Sequence, residues 1–353
     1  MAADPTAAST DADWASDQVM TRDGQSIPVR GTARRPSWGD LPSGIRGHIE
    51  AAAGSTVEHS WSAGTGFTPG FASRLDLSDS RRIFVKAASG SDDRRHGWPL
   101  SDAYREEARK LRALGPAFGA PPLLWSHELE SDGEQWVLLG LQYVDGVPPR
   151  RPWRPDQLSL VLDKLAEVAP TLAEPPAELT LAPVADEIVA EFRGRMQRAK
   201  EIAPADEWLD TVEQLCAESA TLLAGDSLVH LDLRDDNVLI TGSGEVWFVD
   251  WNFPAIGAPW IDVVIILLSA RGDGVDIDDI LSSHVLTRDV DPHAINSLLA
   301  LLLSFWAVAK VEPVPAYSPH LRDHQRWYAD VTEGWLRERL SRDSSGSPRG
   351  SST

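Results

Sequence analysis

The sequence predicts an α+β protein with two lobes, a small, mostly β N-terminal lobe and a larger helical C-terminal lobe. Apolar runs of strand length precede residue 146, whereas helical periodicity prevails after it. The proline-rich residues 148–152 separate the two regions. We therefore assign the N-terminal lobe to residues 36–146 and the C-terminal lobe to residues 147–342. A chain of 353 residues is ample for a large hydrophobic core.

The two ends of the chain lack the pattern of a packed domain. Residues 1–35 are rich in Ala, Asp, Ser and Thr and poor in periodic apolar positions, so we expect a disordered N-terminal segment. The Ser- and Gly-rich residues 343–353 are expected to form a disordered tail. Residues 1–6 show no basic region followed by an apolar one, so we expect no signal peptide and a cytoplasmic protein.

The N-terminal lobe is predicted to begin with a helix that runs from Asp40 to about Ala53. Asp40 would cap this helix and Pro42 would lie in its first turn. A Gly-rich turn over residues 64–70 then leads into a strand over residues 71–77. The sequence therefore places a glycine-rich turn directly before a strand of the predicted sheet.

Three further elements complete the N-terminal lobe. Residues 82–87 read as a second strand that carries a lone lysine, Lys86. Residues 104–114 read as a charged helix. Residues 136–146 read as an apolar strand that runs into a turn, and the second lobe is expected to begin after it.

The C-terminal lobe is predicted to be mainly helical. The candidate helices span residues 156–173, 185–200, 206–224, 261–270, 294–309 and 319–342. The apolar stretch 294–309 is of borderline length for a membrane span and contains Asn296, Ser297 and Ser304. We therefore expect a buried helix there and no association with a membrane.

A β-hairpin is predicted around residues 241–245, where a Gly- and Ser-containing turn joins two apolar runs. A two-residue turn would place Asn237 opposite Asp250, which is the register we favour. A four-residue loop would instead place Asn237 opposite Phe248.

The favoured register would bring the side chains of Asn237 and Asp250 together, because opposed residues have Cβ atoms about 4.5–5.5 Å apart. Amide and carboxylate oxygens suit Mg²⁺, which usually takes one or two carboxylates and fills its shell with water and phosphate oxygens. Asp232 lies close to Asn237 in sequence and could act as a base beside that ion. The sequence therefore predicts a phosphoryl-transfer site.

Residues 230–237 read HLDLRDDN, and Asp250 and Trp251 follow the hairpin. This segment resembles the catalytic loop and metal site of the aminoglycoside phosphotransferase and choline kinase-like family, small-molecule kinases with a protein-kinase-like fold. The upstream Gly-rich turn, lysine strand, acidic helix and inter-lobe strand occur in the order that this family requires. The resemblance covers about half of the chain.

The resemblance implies ATP and Mg²⁺ as cofactors and assigns roles to individual residues. The nucleotide would be bound by Gly66, Gly70, Lys86, Glu107, Gln142 and Val144. Glu106 remains the alternative partner of Lys86. Catalysis is assigned to Asp232, as the base, and to Arg234, as a stabiliser of charge on the transferred phosphate. The metal is assigned to Asn237 and Asp250, while His230 and Asp262 are expected to support the catalytic loop.

The implied reaction is transfer of the γ-phosphate of ATP to a hydroxyl group of a small molecule, such as an aminoglycoside or other antibiotic, a sugar or an amino alcohol. Leu231 stands where the family usually has glycine, and Asp235 and Asp236 replace a frequent Pro-Gly pair. These departures leave the acceptor open. They also keep an alternative open, a catalytically impaired nucleotide-binding regulator.

Composition limits the partners of the protein. With 53 acidic and 33 basic residues the formal net charge is −20, which argues against a nucleic-acid-binding surface. The same charge is compatible with a cationic acceptor, although solubility alone accounts for it. The single cysteine, Cys216, excludes an intrachain disulfide and has the apolar phase of a core helix position. Composition leaves the oligomeric state open.

Overall fold

The computed structural model describes residues 17–21, 23–97 and 99–346, with side chains up to residue 342. The described chain begins with two paired antiparallel strands, β1 (Gln18–Met20) and β2 (Ser26–Pro28). Val19 and Ile27 are buried in the core of the C-terminal lobe. The expected disorder is therefore wrong for the described residues 17–21 and 23–35, because packing against distant residues orders a segment of polar composition. Residues 1–16 lie outside the described part.

The N-terminal lobe contains a five-stranded antiparallel sheet in the order β3-β4-β5-β7-β6. Its elements are α1 (Ser43–Ala53), β3 (Val57–Ser62), β4 (Phe71–Leu77), β5 (Arg82–Ser89), α2 (Gly90–His96), α3 (Leu100–Leu111), β6 (Leu123–Ser131) and β7 (Glu134–Gln142). The sequence did not predict α2, which begins with a Ser89 capping box. Asp40 does not cap α1: it belongs to a short turn that begins at Ser37, and α1 starts two residues after the turn ends at Leu41.

Strand β5 shows how the sheet places a lysine in the space between the lobes. Successive side chains of a strand point to opposite faces. Ile83 and Val85 are buried in the core of the N-terminal lobe. Phe84 and Lys86 therefore lie on the other face of β5, and both line a cavity between the two lobes.

The C-terminal lobe is mainly helical, with short strands near the lobe junction. Its elements are β8 (Gly146–Val147), α4 (Pro155–Leu172), α5 (Ala190–Ile202), α6 (Trp208–Cys216), α7 (Ser219–Leu222), β9 (Ser227–Val229), β10 (Val238–Thr241), β11 (Val246–Phe248), β12 (Ala255–Gly257), α8 (Ile261–Gly272), α9 (Asp278–Ser283), α10 (Pro292–Ala309) and α11 (Leu321–Gly346). Together with the sheet of the first lobe, this arrangement confirms the predicted α+β fold with a β-rich and a helical lobe.

Several helix boundaries in the C-terminal lobe differ from the prediction. The helix predicted over residues 206–224 is broken into α6 and α7. A π-helical turn, Ala185–Val189, precedes α5. Helix α9 was not predicted, and α11 continues to Gly346, into the segment expected to be a tail. Residues 347–353 lie outside the described part.

Neither predicted register of the β10–β11 hairpin is correct. Val238 pairs with Phe248 and Ile240 pairs with Val246, which leaves a three-residue loop over residues 242–244. Gly244 has a φ of 86°, a left-handed conformation that suits the last position of such a loop. Asn237 consequently lies next to Val249, whose N–H donates to the Asn237 carbonyl at 2.9 Å.

Helix α10 is the one helix among the described residues with the length and apolarity needed to cross a membrane. In the structure 78% of its apolar window is buried inside the protein. It packs against α5, α6 and α11. Asn296, Ser297 and Ser304 are buried with it, and Ser297 and Ser304 donate hydrogen bonds to backbone carbonyls. The predicted buried helix is therefore found.

Candidate active site

A cavity of about 310 Å³ lies between the two lobes and contains most of the predicted site residues. Its charged lining consists of Arg30, Arg35, Arg74 and Lys86 on the basic side and Glu107, Asp236 and Asp250 on the acidic side. A protein with a net charge of −20 thus gathers four cationic side chains in one cavity. Concentrated positive charge in a cleft favours an anionic ligand such as a polyphosphate.

Lys86 joins three elements at the back of this cavity. Its Nζ donates to both carboxylate oxygens of Glu107 on α3, at 2.7 Å, and to Asp250 Oδ1 at 2.9 Å. Glu107 is 1% exposed, whereas Glu106 pairs with Arg109 on the outer face of α3. The structure therefore resolves the alternative in favour of Glu107 as the partner of Lys86.

Electrostatics keeps Lys86 and Asp250 charged, whereas burial raises the pKa of Glu107. Burial alone would lower the pKa of Lys86, but the carboxylates of Asp250 and Glu107 outweigh it and raise that pKa. Burial likewise opposes ionisation of Asp250, yet the neighbouring Lys86 ammonium holds the pKa of Asp250 below its usual range. Lys86 is therefore a cation and Asp250 an anion at neutral pH.

The Gly-rich turn forms one wall of the cavity. Residues 64–66 line it, and Gly66 has a φ of 80°, which favours glycine. Gly70, which was also assigned to the nucleotide, does not line the cavity. A Cβ at Gly70 would lie 2.5 Å from the Tyr104 hydroxyl oxygen. Glycine is required there because Tyr104 approaches the backbone closely.

The strand that leads out of the N-terminal lobe forms the opposite wall. Gln142 and Val144 both line the cavity, as predicted. The Gln142 N–H donates to the Pro122 carbonyl at 2.9 Å. Among the described residues, the backbone N–H of Val144 has no hydrogen-bond partner. This amide is free to donate to the edge of a nucleobase.

The catalytic candidates Asp232 and Arg234 do not line the cavity themselves, but they bond Asp236 and Asn237, which do. Arg234 donates to Asp232 Oδ1 at 2.9 Å and to both oxygens of Asp236 at 3.0 Å. Asn237 Nδ2 donates to the Asp232 carbonyl at 2.7 Å and to its Oδ2 at 3.1 Å. Burial raises the pKa of Asp232 to about 6, although the Arg234 charge opposes the rise. A carboxylate with such a pKa suits proton acceptance near neutral pH.

Asn237 and Asp250 retain oxygen atoms that fit a divalent cation. Both hydrogen bonds of the Asn237 side chain are donated by Nδ2. No described residue donates a hydrogen bond to its Oδ1. Asp250 accepts from Lys86 and Asn252 through Oδ1 alone, which leaves its Oδ2 without a partner among the described residues. One amide oxygen and one carboxylate oxygen form a hard donor set of the kind that Mg²⁺ takes.

Asp250 reaches the cleft by a route other than the predicted cross-strand pairing. It follows the end of β11 with a φ of 66°, a left-handed conformation that is uncommon for a residue other than glycine. Asp and Asn tolerate this conformation better than most residues. The local turn, rather than pairing opposite Asn237, therefore aims the Asp250 carboxylate at Lys86.

The backbone of the catalytic loop is held by buried groups. Asp262 at the start of α8 accepts hydrogen bonds from the N–H groups of His230, at 2.7 Å, and Leu231, at 2.9 Å. The His230 ring lies 4.6 Å from the Trp251 ring, and its Nε2 is 3.0 Å from the Val249 carbonyl. His230 and Asp262 are thus placed as supporting residues, as the sequence predicted.

The family model for phosphotransferase enzymes (APH) matches residues 77–281, more than half of the chain. The chain belongs to this family. Two solved kinases support the fold assignment. Amicoumacin kinase hAmiN, in complex with AMP-PNP, Ca²⁺ and Ami, is 12% identical with a TM-score of 0.53, and the match covers 83% of this chain and 94% of that chain. Choline kinase LicA from Streptococcus pneumoniae is 13% identical with a TM-score of 0.50, covering 85% of this chain and 99% of that chain.

At 12% and 13% identity these two matches show the fold alone, and that fold is kinase-like. The protein-kinase-like fold predicted from the sequence is therefore confirmed. No curated protein sequence matches the chain. Family membership makes the protein a phosphotransferase in class.

The phosphotransferase site also contains residues that the sequence did not indicate. Arg35 and Arg30 reach the cavity from the segment expected to be disordered. Lys110 on α3 is buried and donates to the Asn252 carbonyl, two residues after Asp250. Tyr104 lies with its ring 5.5 Å from Lys86 Nζ. Tyr104 lies three residues before Glu107 and Lys110 three residues after it, so the helical periodicity of α3 was a signal for both, whereas no sequence pattern indicated the two arginines.

Asp235 and Asp236, the acidic pair that departs from the family pattern, have different environments. Asp235 is buried, pairs with Arg151 at 2.8 Å and accepts from the Tyr328 hydroxyl at 3.2 Å. Asp236 pairs with Arg234 in the cleft. Each added carboxylate therefore has a cationic partner, and the phosphotransferase site gains no unpaired negative charge from them.

Proposed function

We propose that the protein is an ATP- and Mg²⁺-dependent O-phosphotransferase that phosphorylates a hydroxyl group of a small molecule. The observation that carries this proposal is that Lys86, Asn237 and Asp250 line one cleft and that Asp232 is bonded to Asn237 at its edge. Lys86 is bound to Glu107 and Asp250, and Asp232 is bound to Asn237. These are the groups that the kinase mechanism requires.

Binding of ATP is assigned to the two walls of the cavity. The free Val144 N–H would donate to adenine, while Lys86 and the amides of residues 64–66 would contact the phosphate groups. Asn237 Oδ1 and Asp250 Oδ2 would hold Mg²⁺. Bound Mg²⁺ would neutralise negative charge on the phosphate oxygens during transfer.

The acceptor hydroxyl is assigned to Asp232. Its carboxylate would orient the hydroxyl and accept its proton while the acceptor oxygen forms a bond to the γ-phosphorus. The bond from that phosphorus to the bridging oxygen breaks, and ADP leaves with the electron pair. Arg234 fixes the Asp232 carboxylate through one nitrogen and lies beside the reacting groups, where its charge would stabilise the transferred phosphoryl group.

A small-molecule acceptor is favoured over a protein acceptor. Asp250 is followed within a few residues by β12, which pairs with β9, and then by α8. This leaves little chain for the activation segment that protein kinases carry between the metal-binding aspartate and the next helix. ATP dependence is consistent with action in the cytoplasm.

The experiment that tests the proposal is a turnover assay with Mg-ATP and a panel of hydroxylated antibiotics, sugars and amino alcohols. ADP release is followed by a coupled assay, and products are identified by the mass of one added phosphoryl group. Turnover that requires both the acceptor and Asp232 is expected. Mg-ATP binding without turnover of any panel member would favour the nucleotide-binding regulator, and failure to bind Mg-ATP would refute the nucleotide site.

A further inference from the structure

Four consecutive carbonyl groups of the Gly-rich turn accept hydrogen bonds from a single segment, residues 29–35, which we name the strap. Arg35 Nη1 and Nη2 donate to the carbonyls of residues 63 and 65, each at 2.9 Å. The Gly31 N–H donates to the carbonyl of residue 64 at 2.7 Å. The Thr32 hydroxyl donates to the carbonyl of residue 66 at 2.6 Å. Each carbonyl from residue 63 to residue 66, at the start of the turn, thus accepts a hydrogen bond from the strap.

The strap is itself attached to the C-terminal lobe. The Ser318 hydroxyl donates to the Thr32 carbonyl at 2.8 Å, and the Arg34 N–H donates to the Tyr317 carbonyl at 2.7 Å. Thr32 is 1% exposed and Ser318 is fully buried. The Gly-rich turn of one lobe is therefore connected, through the strap, to the segment that precedes α11 in the other lobe.

The amide side of the same turn is unused. Among the described residues, the N–H groups of Gly64, Thr65 and Gly66 have no hydrogen-bond partner. All three residues line the interlobe cavity. Successive free amides in a glycine turn form a concavity suited to an anion. A turn fixed in advance also loses less conformational freedom on binding, which favours affinity.

Arg35 contributes charge as well as hydrogen bonds. Its side chain lines the cavity together with Lys86. Its Nε is buried and has no hydrogen-bond partner within the described part of the chain. Burial lowers the pKa of Arg35, and the nearby Tyr104, Asp250 and Asp236 oppose that shift, so the guanidinium remains charged beside the metal-binding candidate Asp250. The strap therefore places the Arg35 guanidinium and the amides of residues 64–66 around the interlobe cavity.

We propose that Arg35 is a positioning residue for the phosphate groups of a nucleoside di- or triphosphate. It holds the Gly-rich turn with its amides available to phosphate oxygens, and it adds positive charge to the phosphate subsite. This inference rests on the proposed nucleotide site, but it assigns a role to a segment outside the residues that the family match covers.

The test compares ligands that differ only in phosphate content. Isothermal titration calorimetry with adenosine, AMP, ADP and the non-hydrolysable analogue AMP-PNP, with Mg²⁺ present, is carried out on the full chain and on Arg35→Gln. The variant should bind ADP and AMP-PNP about ten- to a hundredfold more weakly, the usual effect of losing a hydrogen bond to a charged group. Adenosine affinity should change less than about twofold, because adenosine carries no phosphate.

Two further variants separate positioning from simple charge and guard against misfolding. Arg35→Lys keeps the charge but cannot bridge the carbonyls of residues 63 and 65, so it should not restore parental affinity. Thr32→Val removes one hydrogen bond between the strap and the turn without changing the charge. It should weaken the binding of AMP-PNP more than the binding of adenosine. Arg198→Gln, which removes an exposed ion pair with Glu201, is the matched control and should keep all four affinities.

The outcomes distinguish this inference from the proposed function. If the parental chain binds none of the phosphorylated ligands, the nucleotide site itself is refuted. If the parental chain binds them and Lys86→Ala loses them, but Arg35→Gln binds all four like the parent, the role of Arg35 is refuted alone. The role of Arg35 would also be refuted if a folded Arg35→Gln lost affinity for adenosine and AMP-PNP equally. It would be refuted as well if Arg35→Lys bound AMP-PNP with the parental affinity.

Discussion

Lys86 Nζ in the N-terminal lobe lies 2.9 Å from Asp250 Oδ1 in the C-terminal lobe, so one ion pair joins the two halves of the cleft. The lysine side chain is 12% exposed and the aspartate side chain 30% exposed. Solvent and salt screen such a partly buried pair less than a surface ion pair. The pair also keeps Asp250 ionised, which is the state that a metal ligand requires.

Mg-ATP is expected to raise the melting temperature of the protein. A ligand that binds only the native state adds about 2.7 kcal/mol at about a hundredfold excess over its Kd. Lys86→Ala and Asp250→Asn should each reduce this shift, measured by scanning fluorimetry at a fixed Mg-ATP concentration. Arg198→Gln should keep it. Parental shifts in both site variants would place the nucleotide elsewhere.

Asp232→Asn is expected to separate chemistry from binding. The substitution keeps the size of the side chain but removes the proton acceptor, and general-base catalysis typically contributes about 10²–10⁴-fold. With an acceptor identified, kcat should fall by that order, while the calorimetric affinity for AMP-PNP stays within about threefold because Asp232 is not assigned to the nucleotide. Turnover at the parental rate would show that Asp232 is not the base.

Asp262→Ala is expected to destabilise the fold. Asp262 is 4% exposed, and its loss leaves the N–H groups of His230 and Leu231 buried without partners. Each unsatisfied group costs about 1–3 kcal/mol, so the loss of both partners should lower the free energy of unfolding in urea by about 2–6 kcal/mol. The control is Asp289→Ala, at a side chain that is 88% exposed. Equal losses in the two variants would contradict the bracing role.

Gly70→Ala is expected to disturb the N-terminal lobe, because the added Cβ would lie 2.5 Å from the Tyr104 hydroxyl oxygen. Overpacking of this kind typically costs about 1–3 kcal/mol. Gly64→Ala is the matched control for stability, since a Cβ there meets nothing within 4 Å. The two variants are compared by urea denaturation. A neutral Gly70→Ala would mean that Tyr104 can move aside and that glycine is not required.

Several parts of the site could be predicted from sequence because they depend on local geometry. The period-two alternation of β5 places Lys86 opposite the core face, and Asn237 lies close enough to Asp232 in the chain to bond it. Helical periodicity found α8 and α10, although it missed the break between α6 and α7. The choice between Glu106 and Glu107 remained open because only the packing of α3 decides which carboxylate turns inward.

The register of the β10–β11 hairpin depends on the backbone conformation of Gly244. Gly244 adopts a left-handed conformation, which produces a three-residue loop and shifts the pairing by one position from the favoured register. A shift of one residue changes which side chains face each other. Asp250 still reaches the cleft, because its own left-handed backbone redirects the carboxylate.

The sequence by itself determined the two-lobed α+β fold, the order of the motifs and the identity of the chemical groups in the cleft, because these follow from patterns within short stretches of chain. Only the tertiary structure decided that Gly70 accommodates Tyr104 and that Arg35 and Thr32 hold the Gly-rich turn. Thr32 is held by Ser318, from the opposite end of the chain. By composition residues 17–35 are polar and unpatterned, and the order of the described residues 17–21 and 23–35 arises from partners that become neighbours only when the chain folds.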